Sequence, residues 1–286
     1  MTGTIIKPTD FTQPLKWHGG KAYLAAKYWS LVDEAKLEFQ HVVEPYFGGG
    51  AFTLHGLAQG RPLSFVANDT NLELTDFWRC LADPIEFSEF KRIVDCIPMS
   101  EYEWRAAIGF GGEFTRGRVA KAVAFFVKMR QSRQGIGKSF ATLSKTRVRR
   151  GMNEQASSWL SAVDGLPDVH EMIRPLVVLN SPALDVIRRE DTETTLHYLD
   201  PPYLPSTRRK GANEYGPNEM SYEQHAELLA VAGRLKGRMM LSGYPSPLYD
   251  EYAARMNWRH VDFNLPNNAS SAASKERKTE RVWLNF

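Results

Sequence analysis

The sequence predicts an α/β protein: a doubly wound, mostly parallel sheet with a helical domain inserted partway along the chain. Three observations carry that reading. Short strand-like runs alternate with helical ones in the first third and again in the last, the pattern of βαβ units. The stretch 84–174 between them keeps helical periodicity and has few strand-like runs. Two predicted strands end in turns built from glycine or proline, at Gly48-Gly49-Gly50 and at Pro201-Pro202.

Taken in order, His41-Val-Val-Glu44 is a short strand before the glycine turn, and Ala51–Gln59 has helical character. Leu63-Ser-Phe-Val-Ala67 is a second strand, followed by a helix from about Leu72 to Leu81 with Asp69 or Thr70 as its cap. Val119–Met129 is the clearest amphipathic helix of the middle third, bracketed by polar, glycine-containing loops at Gly109–Gly117 and Gln131–Lys138. Leu176–Leu179 is a strand and Ala183–Arg189 a short helix. Leu196–Leu199 is a strand, Tyr222–Leu235 a helix, and Arg238–Ser242 a strand. Asn267–Ser274, rich in serine and alanine, is a loop. The domain boundaries implied are 1–83 for the first part of the α/β domain, 84–174 for the insertion, and 175–286 for the second part.

Composition removes several classes. With 43% hydrophobic residues among 286, the chain can bury a core, which excludes wholesale disorder. No run approaches the ~18 apolar residues of a membrane span. The start of the chain lacks an apolar secretory segment, and two cysteines, Cys80 and Cys96, make neither a disulfide framework nor a thiolate zinc cluster. A reducing, cytoplasmic setting is expected. Seven scattered histidines show no metal-ligand spacing, so no metal is expected, and His18, His55 and His197 are read as structural.

The net charge of +3 conceals an asymmetry. Arg116–Arg150 holds 11 basic residues and no acid, which leaves 25 basic against 33 acidic residues in the rest of the chain. An acid-free cationic block in an otherwise acidic protein points to a polyanion partner. Within it, Arg130-Gln-Ser-Arg-Gln-Gly135 offers the guanidinium forks and amides that read base edges, flanked by Lys128 and Lys138. Arg208-Arg209-Lys210, in a loop bounded by glycine and proline, is a second cationic segment, expected to act as a mobile flap.

Three motifs carry chemistry. Val43-Glu-Pro-Tyr-Phe-Gly-Gly-Gly50 ends a strand in glycines and opens a helix, a turn that lets a ligand approach the main chain at the carboxyl end of a sheet. Asp69 follows the next strand about 20 residues on, where a carboxylate can accept from ribose hydroxyls. Lys16-Trp-His-Gly-Gly-Lys21 packs a ring, two glycines and two cations into six residues. The sharpest is Tyr198-Leu-Asp-Pro-Pro-Tyr203: the prolines remove two donors and stiffen the turn, leaving the Asp200 carboxylate, the Pro201 carbonyl and the Tyr203 ring. That set suits a planar amine, which gives two N–H bonds to the oxygens and stacks on the ring.

In chain order, Lys-Trp-x-Gly-Gly-Lys, Glu-Pro-Tyr-Phe-Gly-Gly-Gly, Asn68-Asp69-x-Asn71, a basic helical insertion and Asp-Pro-Pro-Tyr resemble the motifs of the Dam-like adenine-N6 DNA methyltransferases of the alpha motif order. The resemblance spans nearly the whole chain and implies a Rossmann-like methyltransferase fold whose insertion recognises DNA. Gly237–Tyr244 and Arg281–Phe286 are weaker echoes. It implies that Trp17, Lys21, Glu44, Phe47, Gly48, Gly50, Asp69 and Asp200 serve S-adenosylmethionine. Asp200, Pro201, Pro202 and Tyr203 would hold an adenine flipped from the duplex. Lys128, Arg130, Arg133, Lys138, Arg208 and Arg209 are the expected contacts to double-stranded DNA, and a cognate restriction endonuclease is a further partner in such systems. Where relatives often read Pro-Phe-x-Gly-x-Gly, this chain has Tyr46-Phe47 and three glycines.

Asp/Asn-Pro-Pro-Tyr also occurs in enzymes that methylate cytosine N4, RNA or a protein glutamine. The Lys-Trp-x-Gly-Gly-Lys start and the placement of the insertion favour adenine. A non-catalytic DNA-binding protein with a decayed pocket is the alternative of a different kind, and the intact Asp200–Tyr203 motif speaks against it.

Overall fold

The computed structural model describes residues 11–61, 63–109, 117–208, 218–266 and 277–286. In chain order the elements are α1 (Ala25–Glu34), β1 (His41–Glu44), α2 (Ala51–Ala58), β2 (Ser64–Asn68), α3 (Leu72–Ala82), α4 (Pro84–Asp95), α5 (Glu101–Gly109) and α6 (Gly117–Arg130). There follow β3 (Val148–Arg149), β4 (Met152–Asn153), α7 (Glu154–Asp164), α8 (Leu166–Ile173), β5 (Val177–Leu179), α9 (Ala183–Glu190) and β6 (Thr195–Leu199). The last are α10 (Tyr222–Ala232), β7 (Arg238–Gly243), α11 (Pro247–Arg255), β8 (Arg259–Pro266) and β9 (Arg277–Leu284).

Seven strands pair in the order β5-β2-β1-β6-β7-β9-β8, and β3 and β4 form a separate hairpin. The sheet is mostly parallel, as expected: β1 runs parallel to β6 and β6 to β7, while β8 and β9 close one edge as an antiparallel pair. The chain order steps one way from β1 to β2 and β5, then the other way from β6 to β7. β1 and β6 are therefore the neighbours at which the order reverses, and ligands in such sheets bind beyond the carboxyl ends of that pair.

Two compact units divide the chain. The first comprises residues 1–34, 48–65 and 71–180, so α1, α2 and α3 group with the helices of 84–174. Aromatic rings build its core: Phe77 of α3 stacks on Phe126 of α6 at 5.9 Å, and Phe126 meets Phe90 of α4 at 5.6 Å and Trp159 of α7 at 5.2 Å. Burying a ring of this size stabilises by roughly 1.5–3 kcal/mol, so this cluster fixes α6 firmly. Asn71, at an extended φ of −74° and ψ of 105°, caps α3 by accepting from the Leu74 N–H at 3.2 Å. That corrects the expectation of a cap at Asp69 or Thr70, since a capping oxygen lies two or three positions before the N–H it takes. Asp83 caps α4 ahead of Pro84 in the same way. The β3–β4 hairpin, with Arg150 and Gly151 at φ 54° and 72° in its turn, was not expected from the sequence.

The second unit comprises residues 35–47, 66–70 and 181–286. Here α9, α10 and α11 supply Ile187, Leu228, Leu229, Tyr249 and Ala253 to a core shared with Leu199, Met239, Leu241 and Trp283 of the sheet. A capping box between Ser221 and Gln224 starts α10, which ends at Ala232 rather than Leu235 because Gly233 closes it. The loop expected at 267–274 lies outside the described residues.

Candidate active site

Within the second unit, three turns follow the carboxyl ends of β2, β1 and β6, which bring Asp69, Phe47 and Asp200 respectively. Buried Asn68, at the end of β2, braces the turn after β1 and the one after β5. Its Nδ2 donates to the Pro45 carbonyl at 3.0 Å and to the Ser181 carbonyl at 3.0 Å, and its Oδ1 accepts from the Ser181 N–H at 2.9 Å. The Phe47 N–H donates to the Asn68 carbonyl at 2.9 Å. A buried amide with its donors and acceptor engaged is well matched to its site, so the residue before Asp69 sets the spacing of the turns. Glu44, at the end of β1, is buried.

Asp200 is one residue past β6. Register pairs Leu199 with Leu241, so the next pair along the strands is Asp200 and Ser242. The Ser242 hydroxyl donates to Asp200 Oδ1 at 2.7 Å, and the Tyr198 hydroxyl lies 3.4 Å from the same Ser242 oxygen. Tyr203 is 5% exposed; its hydroxyl donates to the carboxylate of buried Glu280 on β9, and its ring meets Tyr244 edge-on at 4.6 Å. Pro201 is buried and Pro202 half-buried. Behind this turn, burial drives the Tyr46 and Tyr249 hydroxyls well above the ordinary phenol range, so both stay neutral. Tyr249 is within 2.8 Å of His225 Nδ1. Ser242 and Glu280 were not singled out from the sequence, although Ser242 lies in the Gly237–Tyr244 echo, at the end of a strand.

In the first unit, Gly48 has φ +49° and Gly50 φ +66°, conformations that glycine adopts without strain. A Cβ on Gly48 would meet Trp17 Nε1 at 2.5 Å, and one on Gly49 would meet Trp17 Cβ at 2.9 Å. The glycines therefore seat the half-buried Trp17 indole as well as turning the chain, and the Trp78 indole donates to the Gly48 carbonyl at 3.1 Å. Lys21 is 5% exposed and donates to the Gly19 carbonyl at 2.7 Å, an N-terminal brace for the start of α1.

The cationic block divides sharply. Lys121, Arg133, Lys138, Lys145 and Arg149 are exposed and, among the described residues, pair with no acid. Lys128 pairs with Glu73 at 3.0 Å while remaining partly exposed. Arg130 does not face outward: it is 6% exposed, donates to the Ser158 carbonyl at 2.7 Å, and burial lowers its pKa to about 10. The expected base contact from Arg130 is corrected on that ground, because a guanidinium packed inside α6 and α7 is not presented to a groove. Arg208 is likewise turned inward, its side chain 3% exposed and gripped by both oxygens of Glu219, which corrects its reading as part of a flap facing DNA. Arg209 lies outside the described residues.

Arg133 and Gln134 stand at the tip of a tight loop. Ser132 Oγ donates to the Met129 carbonyl and accepts from the Gly137 N–H, both at 3.0 Å, and the Arg133 N–H donates to the Ser139 carbonyl at 2.8 Å. Gln131 at its base is fully buried, bonded to Pro98 and Ser100. The loop is thus held from inside while two side chains project.

Among the described residues no group of three or more His, Cys, Asp or Glu side chains is placed to hold a metal ion, and no helix is long and apolar enough to cross a membrane. Comparison with known proteins gives a family match and a similar relative. Residues 17–103 match the model of the D12 class N6 adenine-specific DNA methyltransferases. The chain is also 24% identical over 278 residues to the Type II methyltransferase M1.LlaDCHI of Lactococcus lactis subsp. cremoris, a match that covers 95% of this chain and 94% of that protein. These findings bear out the resemblance read from the sequence, and the sheet order agrees with the fold it implies.

Proposed function

We propose that the protein transfers the methyl group of S-adenosylmethionine to N6 of an adenine swung out of duplex DNA at a specific site. The observation that supports this most directly is the Asp200 carboxylate, anchored by Ser242 just past β6, one of the two strands at which the sheet order reverses. The residues present suit the cofactor. Asp69 follows β2 with a carboxylate for ribose hydroxyls, and Phe47, buried just after β1, adds an apolar side chain. Trp17, on the glycine turn, is an aromatic surface of the kind that attracts a sulfonium by about 0.5–2 kcal/mol. With Lys21, Glu44, Gly48, Gly50 and Asp200, these are the residues proposed to hold it. When bound, S-adenosylmethionine supplies an electrophilic methyl group.

The chain's own work is orientation. Adenine N6 is a poor nucleophile because its lone pair is delocalised into the ring. Accepting its two N–H bonds, at Asp200 and at the Pro201 carbonyl, draws the nitrogen toward tetrahedral geometry and aims the lone pair. This is positioning plus preorganised electrostatics, and no residue needs to form a covalent bond to the substrate. Flipping the base costs a few kcal/mol, and stacking on Tyr203 would return about 1–3 kcal/mol. In the structure Tyr203 is largely covered, so the stack requires its ring face to be exposed as the base arrives.

Lys121, Lys128, Arg133, Lys138, Lys145 and Arg149 would hold the phosphates, with Arg133 and Gln134 closest to a reading role. The segments 1–83 and 175–286 are proposed to act as the catalytic part and 84–174 as the recognition part. A cognate restriction endonuclease and a prokaryotic cytoplasm complete the proposal. Incubation with labelled cofactor and DNA, followed by nucleoside chromatography, tests it. N6-methyladenine is the expected product, and N4-methylcytosine alone would overturn the assignment.

A further inference from the structure

We propose that Ser242 is a positioning residue for methyl transfer, fixing the plane of the Asp200 carboxylate so that it meets the target amine in one orientation. The proposal rests on the reading of Asp200 as an acceptor of that amine.

The local sequence explains why such a residue is needed. An aspartate at the start of a turn usually anchors its carboxylate on the backbone N–H groups of the next residues. Here the next two are Pro201 and Pro202, which have no N–H to give. The turn that exposes the carboxylate has also removed its usual local tether. A carboxyl group rotates over a broad, twofold well about its last side-chain bond, so each donor that holds it narrows the directions its oxygens take.

The neighbouring strand supplies a donor. The parallel register of β6 and β7 sets Ser242 beside Asp200, and its hydroxyl donates to Oδ1 at 2.7 Å. Ser242 is fully buried and sits within a strand rather than a loop, so its own position is well defined. Tyr198, buried on β6, brings its hydroxyl to 3.4 Å from the Ser242 oxygen. A chain from Tyr198 through Ser242 to Asp200 polarises each successive bond toward the carboxylate. An alanine at 242 would fill the space almost as well but give no hydrogen bond. What the site loses is direction, which an in-line displacement cannot do without.

The test uses the full-length enzyme and duplexes carrying its mapped methylation site, with the target base either adenine or purine, which lacks the 6-amino group. Wild type is expected to bind the adenine duplex more tightly than the purine one, and Asp200→Ala to lose that preference. Ser242→Ala is expected to lower kcat about tenfold or more, to leave KM for S-adenosylmethionine unchanged, and to lose most of the adenine preference. Ser242→Cys, of similar size and with a weaker donor, is expected to fall between wild type and Ser242→Ala on both measures. A purely structural role would weaken both duplexes alike. If Ser242→Ala kept the wild-type kcat and adenine preference, or Ser242→Cys fell below it, the proposal would fail while the role of Asp200 stood. If wild type itself did not distinguish adenine from purine, the reading of Asp200 would fail first.

Discussion

Gly135 lies against the main chain of Lys16: a Cβ built on it would meet the Lys16 carbonyl oxygen at 2.1 Å, and its φ is +70°. The loop that presents Arg133 and Gln134 therefore rests directly on the Lys-Trp-His-Gly-Gly-Lys segment, and both partners in the contact are backbone. Neither can swing aside as a side-chain tip would.

Gly135→Ala should accordingly displace the loop. Strain at a left-handed φ costs about 1–2 kcal/mol, and the clash adds to it. Gly137 is the control: its φ is +75°, but the nearest atom to an added Cβ is the flexible Lys128 Cε at 3.2 Å. We expect Gly135→Ala to lower Tm more than Gly137→Ala and to weaken binding to the methylation-site duplex about tenfold. Equal effects of the two substitutions would show that the Lys16 contact is unimportant.

The two arginines of the same loop should separate cleanly. Arg133 is exposed and makes no ion pair among the described residues, so Arg133→Ala should weaken DNA binding, flatten its dependence on salt, and leave Tm within error. Arg130 is buried and bonded to Ser158, so Arg130→Ala should lower Tm by an amount matching roughly 1–3 kcal/mol. Binding titrations at several salt concentrations, beside thermal melts, read both. An Arg130→Ala protein with unchanged Tm and reduced salt dependence would return Arg130 to the DNA surface.

That contrast marks the limit of what the sequence discloses. Strands at His41–Glu44, Leu196–Leu199 and Arg238–Ser242 were legible because each is a short apolar run punctuated by glycine, proline or a charge, and the sheet keeps them within a residue or so. The Asp200–Tyr203 turn was legible because two prolines permit so few conformations. Charge composition, by contrast, counts side chains without saying which way they point: Arg130 and Arg133 are three positions apart, and one is buried. Ser242 and Glu280 reach the turn only through strand register across 42 and 77 residues, a relationship no local pattern encodes. The helix α1 shows a different gap. Its buried Ala25, Tyr28, Trp29 and Val32 do repeat at helical spacing, but the run follows the Gly19-Gly20 turn so closely that the motif overshadowed it.

Tyr203 and Glu280 should be coupled. The phenol donates to the Glu280 side chain, which is 3% exposed, so Tyr203→Phe removes a partner from a buried polar group while keeping the ring. We expect a loss of stability of roughly 1–3 kcal/mol with most of the stacking retained, whereas Tyr203→Ala should also weaken binding of the flipped base. Glu280→Gln, which still accepts from the phenol, should be milder than Glu280→Leu. Combining Tyr203→Phe with Glu280→Leu should cost less than the sum of the single changes. Strict additivity in thermal melts would show that the two side chains act independently.

Stability should fall on mild acidification. Burial lowers the pKa of His197 from 6.5 to about 4, despite the opposing pull of Asp191, whose Oδ1 is 3.3 Å from the ring Nε2; His41 also lowers it and Glu190 raises it. His225 is lowered to about 4 by burial and by Arg208. Both rings are neutral in the folded protein near neutrality, and both bind a proton more readily once unfolded. Their contribution is therefore fully present above about pH 6.5 and is lost as the pH falls toward 4, at roughly 1.4 kcal/mol per unit of pKa difference for each ring. Thermal melts between pH 7.5 and 5.5 should show Tm decreasing, and replacing His197 by glutamine should make that slope shallower. A slope unchanged by the replacement would mean that His197 is not among the groups responsible.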